Sequence, residues 1–507
     1  MAQVTMLGHS TPVHSLPVEL LLEAFAYVAH SSSNRPALPS AGAVPRACQW
    51  TQLMLVCQRW RAIITGAPQF WTSIDLVSNS KWVELCLDRS GQSSVDVRLV
   101  GLSSVSLRTA IPLVVAAGSR IRSLTFQSYM KTISSTMLQR LFSSPMPALE
   151  GLSISLDWRE HGSSRVDLRL SARNHPRLRS LSLTGVPLPI EPSVYSRMKS
   201  LSLHQGSTPP DGVSFPHLAR ILREAAPQLQ DIDLSHIHIP PPPASGSHEL
   251  DRLQSSLIHF PRLRSLYMDH DNITASRVLG ILDIPACTFF HLRVGITSLV
   301  NGSFRGTLLG LVPQNIRPIL DNATELAISM TDHTYSIRDP GSPGLHAEEP
   351  GELHLHRVYI FVSDVPASQA NLDDIAHVAT LLHLTTLTVL SEGRPISGAS
   401  AWGVLLSACP NLRTLDVSEL PPTSLFLALT PWSATAPTLC PALCTLSVTL
   451  RGYTDDWGKH LLSCLQARSG PARRLSSLSL KELPVHSLVG SQRIRELRSL
   501  VDDLNVS

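Results

Sequence analysis

Residues 176–183 read Pro-Arg-Leu-Arg-Ser-Leu-Ser-Leu, and this short stretch contains a pattern that recurs along most of the chain. Its leucines stand at Leu178, Leu181 and Leu183, with single variable residues around the last two. Side chains of a β-strand alternate between its faces, so Leu181 and Leu183 point to one side and the serines to the other. Proline cannot continue a helix, and Pro176 therefore marks the end of a preceding helical segment. The stretch predicts a strand with one buried face that follows a helix.

Copies of this pattern follow one another at intervals of about thirty residues, at or just above the range of about 20 to 29 residues typical of leucine-rich repeats. A proline often stands two residues before the first apolar position, as at Pro227 and Pro410. Each interval has room for one strand and one helix, so the sequence predicts an α/β solenoid with a curved parallel sheet inside and helices outside. Clear copies begin at Ile121, Leu149, Leu178, Met198, Leu229, Leu263, Phe289, Leu384, Leu412, Leu443 and Leu475, and weak ones at Leu326 and Leu353.

An ordinary α/β domain is the alternative, because buried parallel strands are also rich in leucine. The repeated proline-led entry favours the solenoid. Two stretches interrupt the rhythm and predict projecting loops: residues 239–249, with a run of prolines, and residues 331–351, with Asp-Pro-Gly and Glu-Glu-Pro segments. Residues 287–328 fit the repeat poorly, and the pattern assigns no register there.

The residues between the leucines lie on the opposite face of the predicted sheet. Most of them are small and hydroxylic, but the middle of the array has acidic, aromatic and basic side chains there. Inner faces of solenoids bind proteins, with aromatic and charged groups as anchors. We predict a protein-binding site formed by Asp231, Asp233, Tyr267, Asp269, Arg293, His354 and His356. The alternative is that these are ordinary solvated strand residues.

The N-terminal part of the chain has a helical character instead. Leu20, Leu21 and Phe25 recur at helical spacing, and Pro17 suits the first turn of a helix. A second helix is predicted over about residues 50–64. A domain of this size buries little surface, so apolar positions that stay exposed suit a partner protein.

Three segments in this part, Leu-Pro-Val-Glu-Leu-Leu at 16–21, Cys-Gln-Arg-Trp-Arg at 57–61 and Pro-Gln-Phe-Trp at 68–71, together resemble an F-box. An F-box is the helical module that docks onto Skp1 in cullin-RING ubiquitin ligases. With its repeats, the chain resembles F-box proteins with irregular leucine-rich repeats, of the type abundant in mushroom-forming (basidiomycete) fungi. The resemblance implies that the Skp1-binding residues are Leu16, Pro17, Leu20, Leu21, Phe25, Val56, Cys57, Trp60 and Trp71. The alternative is a helical cap over the open end of the repeats.

The predicted organisation is a disordered N-terminus at residues 1–14, an F-box at 15–75 and a leucine-rich-repeat solenoid at 76–507. The F-box departs from the family's compact form through a Ser-, Pro- and Ala-rich loop inserted at about residues 30–49. The resemblance implies a substrate-recognition adaptor that binds a Skp1-like protein, through it a cullin, and a protein substrate on the repeats. The alternative function is a non-catalytic scaffold whose F-box-like helices serve as a cap or bind Skp1 outside a ligase.

Composition and motifs point away from other classes of function. A net charge of +3 with 16% charged residues gives no argument for nucleic acid or a membrane surface. The sequence has no Gly-x-Ser-x-Gly, no His-Glu-x-x-His and no paired Cys-x-x-Cys motif, so we predict no enzymatic activity, no cofactor and no metal site. Eight irregularly spaced cysteines and no long apolar run predict a reduced intracellular protein of the cytoplasm or nucleus.

Overall fold

The structure, a computed structural model of the 507-residue chain, forms two compact units. Unit 1 is Met1–Met198 with Ser336–Pro350, and unit 2 is Lys199–Tyr335 with Gly351–Ser507. The structure describes residues 16–31, 46–76, 80–101, 104–128, 135–156, 168–189, 191–204, 214–235, 237, 239, 257–287, 289–295, 325–331, 357–363, 384–392, 399–418, 422–431, 438–449, 457–470, 474–481 and 491–506.

Several predicted segments fall wholly or largely outside the described residues. They are the disordered N-terminus at 1–14, most of the inserted loop at 30–49, and the projecting loops at 239–249 and 331–351 apart from their first residues. The weak repeat copy at Leu353 also lies outside them.

Unit 1 begins with helices. Helix α1 spans Val18–Ser31, α2 spans Gln58–Gly66, and 3-10 helices span Arg46–Leu55 and Pro68–Trp71. The predicted continuous helix over residues 50–64 is therefore wrong, because it divides into a 3-10 helix and α2. The break lies at Cys57, whose backbone is extended and which is the N-cap of α2. Its Sγ accepts a hydrogen bond from the Trp60 N–H at 3.4 Å.

The sheet of unit 1 follows these helices. Its strands run parallel in chain order: β1 Ser73–Leu76, β2 Val95–Val100, β3 Ile121–Ser128, β4 Gly151–Leu156 and β5 Ser180–Thr184. Helices connect them: α3 Ser80–Arg89, α4 Ser104–Ala116, the 3-10 helix Gly118–Arg120, and α5 Ser135–Ser143, with the 3-10 helix Pro192–Arg197 after β5. Parallel strands need such crossover connections, and most strands alternate with a helix accordingly.

The sheet of unit 2 is longer and also parallel. Its strands are β6 Ser200–His204, β7 Asp231–Ser235, β9 Ser265–Asp271, β11 Phe289–Gly295, β12 Glu325–Thr331, β13 Arg357–Ser363, β14 Thr386–Glu392, β15 Thr414–Ser418, β16 Thr445–Thr449, β17 Ser477–Lys481 and β18 Asp503–Val506, with β8 Ile258–His259 and β10 Leu282–Asp283 as a separate pair. Strand order follows chain order except that β13 lies between β11 and β12. The helices are α6 Phe215–Ala225, then Asn272–Leu279, Ala399–Ser407, Pro422–Leu429, Trp457–Ala467 and Ser491–Leu500.

The predicted alternation of strand side chains is confirmed. On β5, Leu181 and Leu183 are buried while Ser182 is half-buried. Leu181 pairs with Leu152 of β4, and Leu183 pairs with Ile154. Apolar positions of neighbouring strands therefore form continuous buried rows, and the same alignment holds from β15 to β17 in unit 2. The architecture is mixed α/β with parallel sheets.

Two arginines, Arg468 buried and Arg120 half-buried, bind backbone carbonyls of the turns and helix ends that precede strands. Arg468 follows the helix Trp457–Ala467, is 1% exposed, and donates through Nη1 to the Leu439 carbonyl at 2.9 Å and through Nη2 to the Cys440 carbonyl at 2.8 Å. Cys440 has a φ of 47°, in the left-handed region that non-glycine residues rarely adopt. In unit 1, Arg120 likewise donates to the Leu87 carbonyl at 3.0 Å. These guanidinium groups satisfy carbonyls that the ends of helices and turns leave without partners.

Candidate protein-binding surfaces

The N-terminal helices of unit 1 enclose a small aromatic core. The ring centroids of Phe25 and Trp60 lie 4.7 Å apart, and those of Trp50 and Trp71 lie 4.9 Å apart. Trp71 also donates its indole N–H to a backbone carbonyl of α2 at 3.0 Å. Trp82 of α3 lies 5.9 Å from Trp71, measured between ring centroids. Aromatic contacts therefore fix the N-terminal helices to one another and to the first helix of the sheet region.

Arginines fix the start of α2. Arg59 donates to the Leu16 carbonyl at 2.8 Å, and Arg61 donates to the Met54 carbonyl at 3.1 Å. The Arg59 bond places the first turn of α2 beside the first turn of α1. The junction around Val56 is held in place by these bonds at both of its sides.

Apolar side chains remain exposed on this domain. Of the thirteen large hydrophobic residues exposed among the described residues, seven lie between residues 16 and 56: Leu16, Val18, Leu20, Tyr27, Val28, Leu55 and Val56. We call these seven the apolar N-terminal surface. Leu55 is 77% exposed, Tyr27 76%, Val56 60% and Leu20 50%. Single exposed apolar residues are common on proteins, but a concentration in one small domain marks an interaction surface.

The residues predicted to contact Skp1 divide into two groups. Leu16, Pro17, Leu20 and Val56 are exposed, and Cys57 and Trp60 are half-buried. By contrast, Leu21 and Phe25 are each 2% exposed and Trp71 is 3% exposed, so these three belong to the domain core. In this structure they can support the surface but offer almost no area to a partner.

Four residues of the apolar N-terminal surface, Val18, Tyr27, Val28 and Leu55, were not among those predicted from the sequence to contact Skp1. Tyr27 lies seven positions after Leu20 and thus on the same face of α1. Leu55 precedes the exposed Val56 at the break between the two helices. The spacing from Leu20 would have identified Tyr27, whereas Leu55 depends on a helix break that periodicity does not reveal.

A second candidate surface lies on the polar face of the first strands of unit 2. Paired residues of β6, β7, β9 and β11 form two rows across the sheet on this face. The first row is Ser202, Asp233, Tyr267 and His291, and the second is His204, Ser235, Asp269 and Arg293. The structure thus brings four of the predicted binding residues, Asp231, Asp233, Tyr267 and Asp269, onto adjacent strands. Arg293 occupies a neighbouring register position, and nothing is described of its side chain. His354 and His356 lie outside the described residues.

Asp233 is the centre of a hydrogen-bond network on this face. Its Oδ2 lies 3.0 Å from His204 Nε2 and accepts from the Ser202 hydroxyl at 3.3 Å, while its Oδ1 accepts from the Ser235 hydroxyl at 2.8 Å. Burial raises the pKa of Asp233, but the hydrogen bond and charge of His204 together with the two serine hydroxyls outweigh it and lower the pKa below its ordinary value. The carboxylate is therefore held ionised.

Asp231 has the opposite balance, since burial raises its pKa and the charge of Arg264 only partly opposes this. Nearby, Tyr267 stacks on His291 with ring centroids 4.2 Å apart. Asp269 is buried despite its position on the polar face. Sequence reasoning did not select His204 or His291 for the site, although strand alternation places both on the same face. The arrangement offers carboxylates beside stacked rings, which suits recognition of a cationic side chain.

No group of three or more His, Cys, Asp or Glu side chains within the described ranges could hold a metal ion. Each helix in those ranges is too short or too polar to cross a lipid bilayer.

Comparison with known proteins identifies the N-terminal domain. The family model described as F-box-like matches residues 13–77, so this helical part of the chain is an F-box-like domain. No curated protein matches the chain. A chain from the crystal structure of the Rad7 and Elc1 complex in yeast is 14% identical, with 78% of this chain and 90% of that chain covered and a TM-score of 0.28. A superposition that loose supports no inference about this protein.

Proposed function

We propose that this protein is a substrate-recognition adaptor of a ubiquitin ligase. Its F-box-like domain binds a Skp1-like protein and, through it, a cullin, while the strand faces bind a protein substrate. Ubiquitin transfer is carried out by other subunits, and this chain contributes no catalytic residue and no cofactor. We place it inside the cell, in the cytoplasm or nucleus.

The observation that carries this proposal is the apolar N-terminal surface. Burying the exposed parts of Leu20, Leu55 and Val56 against a partner contributes about 1–2 kcal/mol each, since full burial of such a side chain is worth about 1.5–3 kcal/mol. Protein interfaces obtain most of their affinity from a few residues of this kind. A domain matching the F-box-like family with such a surface supports a Skp1-like partner.

We also propose that the strands and helices after residue 76 form irregular leucine-rich repeats of the basidiomycete type. The recurring leucine pattern and the strand register support this interpretation. The substrate site is then the polar face around Asp231, Asp233, Tyr267 and Asp269, extended by Arg293, His354 and His356.

The second candidate function is a scaffold in which the F-box-like helices serve as a cap. The contacts of Trp50 and Trp71 with Trp82 favour it, because they pack the domain against the start of the sheet region. A cap does not require exposed apolar residues on its outer side, and the apolar N-terminal surface therefore favours the adaptor.

Co-purification with Skp1 and a cullin tests the proposal. We expect the full chain to retain both proteins and the double variant Leu20→Asp/Val56→Asp to lose both. The matched control is Leu85→Asp/Val105→Asp, which changes exposed apolar residues of α3 and α4. Skp1 without a cullin would favour the scaffold, and failure of the unaltered chain to bind Skp1 would refute the adaptor.

A further inference from the structure

Exposed arginines concentrate at three successive turns of unit 1. Arg140 lies near the end of α5, Arg173 and Arg177 lie in the turn before β5, and Arg197 ends the 3-10 helix Pro192–Arg197. All four are exposed. We call them the arginine turn surface.

Hydrogen bonds hold these turns beside one another. Arg197 donates to the Pro176 carbonyl at 3.0 Å, which places its guanidinium next to the backbone of Arg177. Asn174, between Arg173 and that proline, donates its side-chain amide to the Ser143 carbonyl at 3.1 Å. The backbone N–H of Met146 donates to the Asn174 carbonyl at 2.9 Å. The turns that carry the four arginines thus lie side by side.

Positive charge in this region is poorly balanced. Residues 135–156, 168–189 and 191–198 contain six arginines and two acidic residues, Glu150 and Glu191, a net charge of +4 in a chain whose total is +3. The Ser193 hydroxyl donates to Glu191. Within the described part of the chain, none of the four guanidinium groups forms an ion pair with a carboxylate. By comparison, Arg122 on β3 is paired with Asp96.

We propose that the arginine turn surface binds an acidic segment of a partner protein through its aspartate and glutamate carboxylates. Guanidinium groups bind carboxylates in a bidentate fashion, which an ammonium group cannot do. Adjacent strands lie about 4.8 Å apart, so three successive turns span about 10 Å, the length of about three residues of extended peptide. Two or three carboxylates of such a segment can therefore meet the four arginines together.

The surface suits a peptide better than a nucleic acid. Single-stranded nucleic acids bind through aromatic side chains on which bases stack, and the aromatic rings of these ranges, Phe142 and Tyr195, are 1% and 0% exposed. Recognition of an acidic segment here is independent of the proposed Skp1-like partner, because it uses different residues.

Fluorescence anisotropy with a labelled peptide of ten glutamates tests the inference on the full chain. We expect saturable binding that weakens with added salt. The triple variant Arg140→Gln/Arg173→Gln/Arg177→Gln is expected to bind about tenfold more weakly, because three exposed ion pairs together contribute about that much affinity. Arg197 is kept in this variant, because its hydrogen bond to the Pro176 carbonyl supports the turn. The matched control, Arg89→Gln/Arg108→Gln/Arg498→Gln, removes the same charge from exposed helical positions and is expected to bind within twofold of the unaltered chain.

Equal weakening in both triple variants would overturn the inference, because net charge alone would then explain the binding. Unchanged binding in the first variant would overturn it as well. Tighter binding of a ten-nucleotide oligothymidine through the same arginines would replace the peptide with a nucleic acid. Far-UV circular dichroism of each variant establishes that it is folded before binding is compared.

Discussion

Replacement of Arg468 by methionine is expected to destabilise unit 2. Methionine keeps the apolar stem of the side chain but removes both donors, so the carbonyls of Leu439 and Cys440 lose bonds of 2.9 and 2.8 Å. Hydrogen bonds from charged donors contribute about 1.5–3 kcal/mol each, or about 3–6 kcal/mol for the two. Part of this loss is offset, because the variant no longer has to desolvate a buried guanidinium, which costs several kcal/mol. The net expected loss is about 2–4 kcal/mol, a decrease in melting temperature of about 5–15 °C.

Thermal and urea unfolding, followed by tryptophan fluorescence and far-UV circular dichroism, measure this loss. Arg498→Met is the matched control, since Arg498 is exposed on the last helix and its replacement is expected to change stability by less than about 0.5 kcal/mol. Arg468→Lys is expected to fall between the two, because one ammonium group cannot reproduce the planar fork. If Arg468→Met melts within about 2 °C of the control, the buried arginine contributes no net stability, and the reasoning is refuted.

Three further predictions concern the core and its titratable groups. Trp71→Phe is expected to cost about 2–3 kcal/mol in urea unfolding, because it removes a buried hydrogen bond of 3.0 Å and ring contacts to Trp50 and Trp82; an unchanged midpoint would contradict this. Burial lowers the pKa of His175 from 6.5 despite its backbone bond to Ser171, so the folded chain favours the neutral imidazole. The stability that this gives is complete above pH 6.5 and is lost as the pH falls below 6.5, because the unfolded chain then binds a proton more readily. His175→Gln is therefore expected to lose less stability than the unaltered chain between pH 7.5 and about pH 5, and identical pH profiles would disprove the assignment. Burial raises the pKa of Cys409 and Cys440 to about 12, so iodoacetamide at pH 8 is expected to label the exposed Cys444 quickly and those two only after unfolding, as peptide mass spectrometry would show.

Strand identity could be predicted from the sequence because it depends on a local period. Leu181, Ser182 and Leu183 alternate in polarity, so only one strand register buries both leucines. A shift by one residue would bury the serine instead. The short edge strands β1 and β18 have too few residues to show the pattern. They form because a neighbouring strand provides backbone partners, which is information from outside the segment.

The candidate surfaces were predicted less completely. Leu20 and Leu21 are adjacent and chemically identical, yet one is 50% exposed and the other 2%. The difference depends on which side of α1 meets the aromatic core, a tertiary property. On β7, by contrast, alternation alone placed Asp231 and Asp233 on the polar face. What the sequence could not supply was the bond from His204 to Asp233, which joins residues of two different strands.

The exchanged places of β12 and β13 affect how unit 2 can assemble during synthesis. Every other strand after β6 in this sheet pairs with at least one strand that has been synthesised before it. Strand β12 is the exception, because it is synthesised before β13, the strand that lies between it and β11. The roughly thirty residues between the ends of β12 and β13 take about two to six seconds to translate at about 5–20 residues per second. During that interval β11 presents an open edge that β12 can occupy wrongly, and β13 must then displace it. We therefore expect maturation of this part of the protein to include a sorting step whose duration is set by translation.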